Sequence, residues 1–285
     1  MLVQGCLMGV VMGMMQIPAF AAVSQYFDKN RAAALGVAIS GSSIGGIVIP
    51  IALSKMLNDT TLGFGWSVRI VGFVMLPLLT FSCMVIKERV PRRDSQFFIF
   101  SAFRDPRFAV LVIAMFFQFM GMMTPLFYLP IYATTRGMGA ALAGYLLAIL
   151  NAASTFGRII PGILADRYGR INVFAFGGVA TGVIAFCMNS VRTNAGLVVF
   201  AVFFGFASGT IISGIAAAFT VCLENARDVG TYMGMGLAVA GVGSLIGPPV
   251  NGAFVNSYHG YFEVSIFSGT IAESAGLDPE RSGQA

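Results

Sequence analysis

Apolar runs of about eighteen residues or more recur along this sequence. They fall at Leu2–Tyr26, Ala32–Leu57, Ser67–Ile86, Phe108–Tyr132, Ala140–Leu164, Val173–Met188, Ala195–Val221 and Thr231–Val255. A helix rises about 1.5 Å per residue, so runs of this length match the hydrocarbon thickness of a bilayer. Backbone in that layer must satisfy its own hydrogen bonds, which favours helices and argues against strands. Composition agrees: 57% of 285 residues are hydrophobic and only 10% charged, where a soluble chain carries about a quarter charged. The predicted fold class is therefore all-α, a multi-pass helical bundle of about eight spans, integral to the plasma membrane or an internal one. The opening MLVQGCLMGVVMGMM lacks the basic start of a signal peptide and runs on apolar to Phe27, so it reads as a span.

The formal net charge of +5 does not point to nucleic acid, because the basic residues sit in loops between spans and not on one polar face. The loop Lys87–Arg107, KERVPRRDSQFFIFSAFRDPR, holds six of them, which assigns it to the cytoplasm. By alternation Asp28–Arg31, Asp166–Arg170 and Glu224–Asp228 fall inside, and Asn58–Trp66, Ala133–Gly139 and Arg192 outside. The N-terminus is then outside, with three spans before the basic loop and five after it. The expected division is 1–86, a basic linker at 87–107 with at most a short surface helix around Phe97–Phe103, a second unit at 108–267, and a polar tail at 268–285.

The densest chemistry lies in NAASTFGRIIPGILADRYGRIN, Asn151 to Asn172. Arg158 falls on the apolar side of a charged turn, seven residues after Asn151 and four after Ser154, spacings that put all three on one helix face. Ionisable groups inside spans are expensive and usually functional. The alternative is that Arg158 snorkels to the headgroups from two turns inside. Elsewhere chemistry is scarce. Gly41–Gly45, GSSIG, matches the GxSxG nucleophile pattern at Ser43, but it lies in mid-span where no strand precedes it. One histidine, His259, excludes HExxH; no glycine-rich loop carries a Walker lysine, and no GxGxxG occurs. Four isolated cysteines form no CxxC pair and read as packing residues. No enzyme, cofactor or metal site is expected. Glycines at Gly5, Gly9 and Gly13, Gly41 and Gly45, Gly205 and Gly209, and Gly243 and Gly247 recur every four residues and read as close-packing faces. Asn58-Asp59-Thr60 forms a glycosylation sequon in an outside loop.

GILADRYGR at Gly162–Arg170 resembles the loop signature of the major facilitator superfamily, in the copy between its eighth and ninth helices. YFDKNRAAALGVAISGSSIGG at Tyr26–Gly46, GRIIPGILADRYGRIN and GSLIGPPVNGAF resemble the monocarboxylate-transporter-like branch, especially its fungal members. The resemblance covers nearly the whole chain up to Phe267. It implies a partial major facilitator fold in which the first span is the family's helix four, the basic loop its central linker, helices one to three are absent, and helix twelve is begun at Tyr261–Phe267 and abandoned.

The resemblance further implies a secondary carrier of a small organic solute, a monocarboxylate-like anion, working by alternating access in the lipid bilayer. Arg158 matches the arginine of helix eight to which the family assigns substrate or proton coupling. The acidic residue usual one turn earlier is Ser154 here, which leaves proton symport open. Asn151, Ser154 and Thr155 would add neutral contacts, and Phe203, Phe204 and Ser208 would shape the cavity. Asp166, Arg167 and Arg170 would form a cytoplasmic gate with Lys29 and Arg31. In particular, Asp166 is expected to dock on the Arg31–Ala34 turn, attracted by a helix N-terminus, against the alternative of a solvated turn. Two other readings are a truncated, transport-inactive product and a membrane scaffold or sensor of the same fold.

Overall fold

The computed structural model describes residues 2–27, 29–61, 63–86, 98–222, 228–258 and 268–270. The expectations for Asp28, for 87–97 of the basic loop, for 223–227, for His259, for the start of a further helix at 261–267 and for 271–285 of the tail lie outside the described residues. Eight long helices cover most of the rest: α1 (Leu2–Tyr26), α2 (Arg31–Asp59), α3 (Gly63–Val85), α4 (Pro106–Thr135), α5 (Ala140–Tyr168), α6 (Arg170–Cys187), α7 (Asn194–Phe219) and α8 (Val229–Tyr258). All eight contain a stretch long and apolar enough to cross a membrane, and no strand occurs among the described residues.

The helices begin where capping chemistry allows. Asp105 accepts from the Arg107 amide at 3.0 Å, and Pro106, which has no N–H to lose, opens α4. Thr193 caps α7 through the Gly196 amide at 3.1 Å. In the described part of the basic loop a 3-10 turn spans Phe100–Arg104. One expectation is corrected here. Asp166–Arg170 is not a loop: α5 continues to Tyr168 and α6 starts at Arg170, so the junction is Gly169 alone. Its φ of 100° lies where side chains are strained, which is why a glycine can reverse the chain in one residue.

α5 is the centre of the bundle, packed between α2 and α7. Against α7 the approach is backbone to backbone: a Cβ added at Gly157 would overlap the Phe206 carbonyl, and one at Gly205 the Leu150 carbonyl. Gly243 and Gly247 bring α8 equally close to the Phe116 and Met120 carbonyls of α4. In lipid, where burial of apolar surface drives little association, such van der Waals contact holds helices together. The expected small-residue faces thus pack at Gly205, Gly209, Gly243 and Gly247. Gly9, Gly13 and Gly41 meet nothing within 4 Å. α3 turns most of its apolar residues outward, Phe73, Leu76, Leu78 and Phe81 among them.

α2 and α5 touch along only part of their length. From the end that carries Arg31 they pair at Ala32 with Gly162, Gly36 with Arg158 and Gly46 with Asn151. Beyond Gly46 they part around a cleft of about 470 Å3 lined by Pro50, Ser54, Lys55, Asp59, Gly144 and Tyr145. α1 and α8 behave alike: a Cβ added at Gly230 or Gly234 would lie 3.7 Å from Ala21 or 3.8 Å from Ile17, while one at Gly13 or Gly241, further along the same faces, would meet nothing within 4 Å. Both seams close at the same end and open at the other.

Candidate functional site

Arg158 is buried, with 6% of its surface exposed. Its guanidinium crosses sideways to α2, where Nη1 donates to the Ile39 carbonyl at 2.8 Å and to the Ser42 hydroxyl. Ser42 itself donates to the same carbonyl at 3.0 Å, so the three groups form one knot. The snorkelling alternative is thereby excluded, since the side chain runs to a neighbouring helix and not along its own toward the headgroups. Two atoms in this seam are buried without a partner, Arg158 Nε and Ser43 Oγ. Among the described residues no carboxylate pairs with Arg158.

Asn151 stands two turns further along α5 and rests on Gly46, whose missing side chain makes the room: a Cβ there would lie 2.9 Å from Asn151 Oδ1. Its Nδ2 donates to the Leu147 carbonyl at 2.9 Å, and Thr155 donates to the Asn151 carbonyl at 3.1 Å. Ser154 is buried on the other side, where its Oγ would be 3.0 Å from a Cβ at Gly209 of α7. The single face expected for Asn151, Ser154 and Arg158 is therefore divided between two neighbours.

The three α7 residues are not brought together. Phe204 is fully buried and stacks on Phe200 at 5.7 Å; Ser208 is buried and donates to the Gly205 carbonyl at 3.0 Å. Phe203, 61% exposed, points out of the bundle. What the structure assembles instead is a polar strip along the α2–α5 seam: Ser42 and Ser43 with Asn151, Thr155 and Arg158. The sequence pattern singles out Ser43 only as a rejected nucleophile and does not single out Ser42, although two hydroxyls inside an apolar run were the available signal. A smaller polar contact joins α4 and α8, where Asn251 donates to Thr124. Among the described residues no three of His, Cys, Asp and Glu stand together as a metal ion would require.

At the closed end Asp166 accepts from two amides of the first turn of α2, Ala32 at 3.2 Å and Ala33 at 2.9 Å. Asn30, which precedes α2, makes no capping bond with its side chain. A carboxylate from α5 therefore caps α2 in its place, where unpaired N–H groups and the helix dipole favour a negative charge. Arg170 donates to Asp166 at 3.4 Å and to the Thr220 hydroxyl at the end of α7 at 2.5 Å. Arg31 donates to the Phe27 carbonyl at 2.9 Å, and Lys29 and Arg167 are exposed.

A sequence profile of the Major Facilitator Superfamily matches residues 1–248 and 153–275. The chain is 45% identical over 276 residues to the aspyridones efflux protein apdF of Emericella nidulans, an alignment covering 97% of this chain and 56% of that protein. It is 39% identical over 279 residues to the agnestins efflux protein of Paecilomyces divaricatus, covering 95% of this chain and 62% of the other. The chain thus spans less than two thirds of the length of these curated relatives. Its fold is similar to a crystal structure of the transporter FucP in the outward conformation, with a TM-score of 0.74 at 16% identity, over 95% of this chain and 73% of that one.

Proposed function

Because this chain belongs to the Major Facilitator Superfamily, we propose that it acts as a secondary carrier moving a small organic anion outward across the membrane. The observation that carries the anion is Arg158, a buried cation inside an apolar helix whose described partners are neutral and whose Nε has none. A buried charge left uncompensated is costly, and an anion brought to it gains a charge-assisted, bidentate hydrogen bond. The monocarboxylate-like motifs at Tyr26–Gly46 and Gly157–Asn172 support the same class of cargo, and the names of the two relatives support the direction.

In this reading α1–α3 belong to one half of an alternating-access carrier and α4–α8 to the other, with the basic loop in the cytoplasm. The seams that close at the Arg31 end and part at the other correspond to an outward-facing state. Asp166, held on the start of α2 and braced by Arg170, is the cytoplasmic latch. The test is Arg158→Ala in proteoliposomes: transport of an organic anion should fall at least tenfold, about 1.4 kcal/mol or more, with the protein still in the membrane. Transport that survives unaltered would remove Arg158 from the site.

A further inference from the structure

The hydrogen bonds of Arg158 do not stay within one part of the molecule. They run from α5 to α2, across the seam that closes at the Arg31 end and opens at the other. Gly36 and Gly162 meet on the Arg31 side of these bonds, and Gly46 meets Asn151 on the cleft side. Any movement that parts α2 from α5 at the Arg31 end must therefore break the bonds to Ile39 and Ser42. It would leave a guanidinium facing a strip of hydroxyl and amide groups, with Nη1 stripped of both acceptors.

We propose that the Ile39 carbonyl and the Ser42 hydroxyl are the release element of the anion site. They compete with the cargo for the same N–H groups of Arg158, and this inference rests on the anion reading above. An organic anion has Arg158 to itself when the seam is parted on the cytoplasmic side. As the seam closes, α2 supplies a carbonyl and a hydroxyl to the same nitrogen, and the anion loses the bonds that held it. Cargo affinity is thus high facing the cytoplasm and low facing out, the asymmetry an exporter needs. Two neutral acceptors suit this task better than a carboxylate. A carboxylate would hold the guanidinium in both states, whereas a carbonyl and a hydroxyl, charged on the donor side alone, hold it less tightly than a bidentate ion pair and let it go when α2 moves away. The orphaned Ser43 Oγ and Arg158 Nε in the same seam mark the remaining groups free to receive cargo.

The experiment is a binding titration of the full chain in lipid nanodiscs with fluorescein, an organic dianion read by its fluorescence anisotropy. Ser42→Ala removes one competing acceptor and should tighten binding by about tenfold, the weight of one hydrogen bond to a charged group. Ser42→Thr keeps the hydroxyl and should restore the original affinity, which a general loosening of the seam would not do. Arg158→Gln should bind weakly. If fluorescein binds the unmodified chain and is lost on Arg158→Gln, while Ser42→Ala leaves affinity unchanged or lower, the release role is wrong and the anion site stands. If the unmodified chain does not bind, or Arg158→Gln binds as well, the anion site itself fails and the release role with it.

Discussion

α5 is held on two sides by different means. Toward α7 it makes steric contact of backbone on backbone at Gly157, Gly205 and Gly209. Toward α2 it also makes glycine contacts, but there a buried cation and a carboxylate add directed hydrogen bonds, and the contact ends half-way along at the cleft. Close packing that is not held by hydrogen bonds between the two helices has no alternative partners, so the only way to undo it is to lose it. Hydrogen bonds between a charged group and neutral acceptors do have alternatives, in water or a solute, and exchange at modest cost. In the proposed carrier cycle the α5–α7 side would persist and the α2–α5 side would open and re-form.

The sharpest way to break this contrast is to wedge the side that should persist. Gly205→Leu drives a side chain into the Leu150 carbonyl and should cost about 3 kcal/mol, read as loss of monodisperse protein after mild heating in detergent. A tolerated leucine would mean that α5 and α7 separate easily. The next effect is smaller and confined to the other side. Asp166→Asn removes the charge from the carboxylate that caps α2 and should shift the balance toward an open basic end by about 1–2 kcal/mol, roughly tenfold. The measurement is labelling of a cysteine placed at Ala33 by an impermeant maleimide, and an unchanged rate would deny Asp166 its latch role.

Smallest of all should be the response of Cys222, buried beyond the end of α7. Burial above all, reinforced by Asp105 and opposed by Arg107, pushes its thiol up to about 11. Through pH 8 to 9, where an ordinary thiol begins to ionise, Cys222 stays protonated and should alkylate slowly. Because the unfolded thiol ionises first, its contribution to stability is lost as pH rises from about 9 toward 11. Asp166→Asn should leave its labelling rate unchanged. A rise in step with the Ala33 position would show that opening spreads across α7.

Helices were legible because hydropathy and length fix their existence, and all eight expected spans lie within helices apart from a few end residues, Ile86 and Thr220–Val221 among them. The α5–α6 junction was misjudged because charged residues read as loop, although a helix accommodates Asp166 and Arg167 as long as Gly169 follows. α7 shows the deeper limit. It is apolar all round, so nothing in its pattern says which face turns inward, and Phe203 and Phe204, about 100° apart on the helix, end on opposite sides of the packing. Arg158 stood out because a charge in an apolar run is unmistakable. Its partners did not, since the Ile39 carbonyl has no side-chain signature and Ser42 is one small residue among many.

The half-length contact between α2 and α5 has a mechanical consequence. Gly46, where contact ends, lies about 21 Å along α2 from Ala32 and about 20 Å from Asp59, at 1.5 Å per residue. Under the proposed alternating access a rod pivoting there would be a balanced lever, its two arms sweeping equal and opposite arcs. Widening the gap at one end and shutting it at the other are then a single stroke, so neither rim needs a separate actuator to know the position of the other.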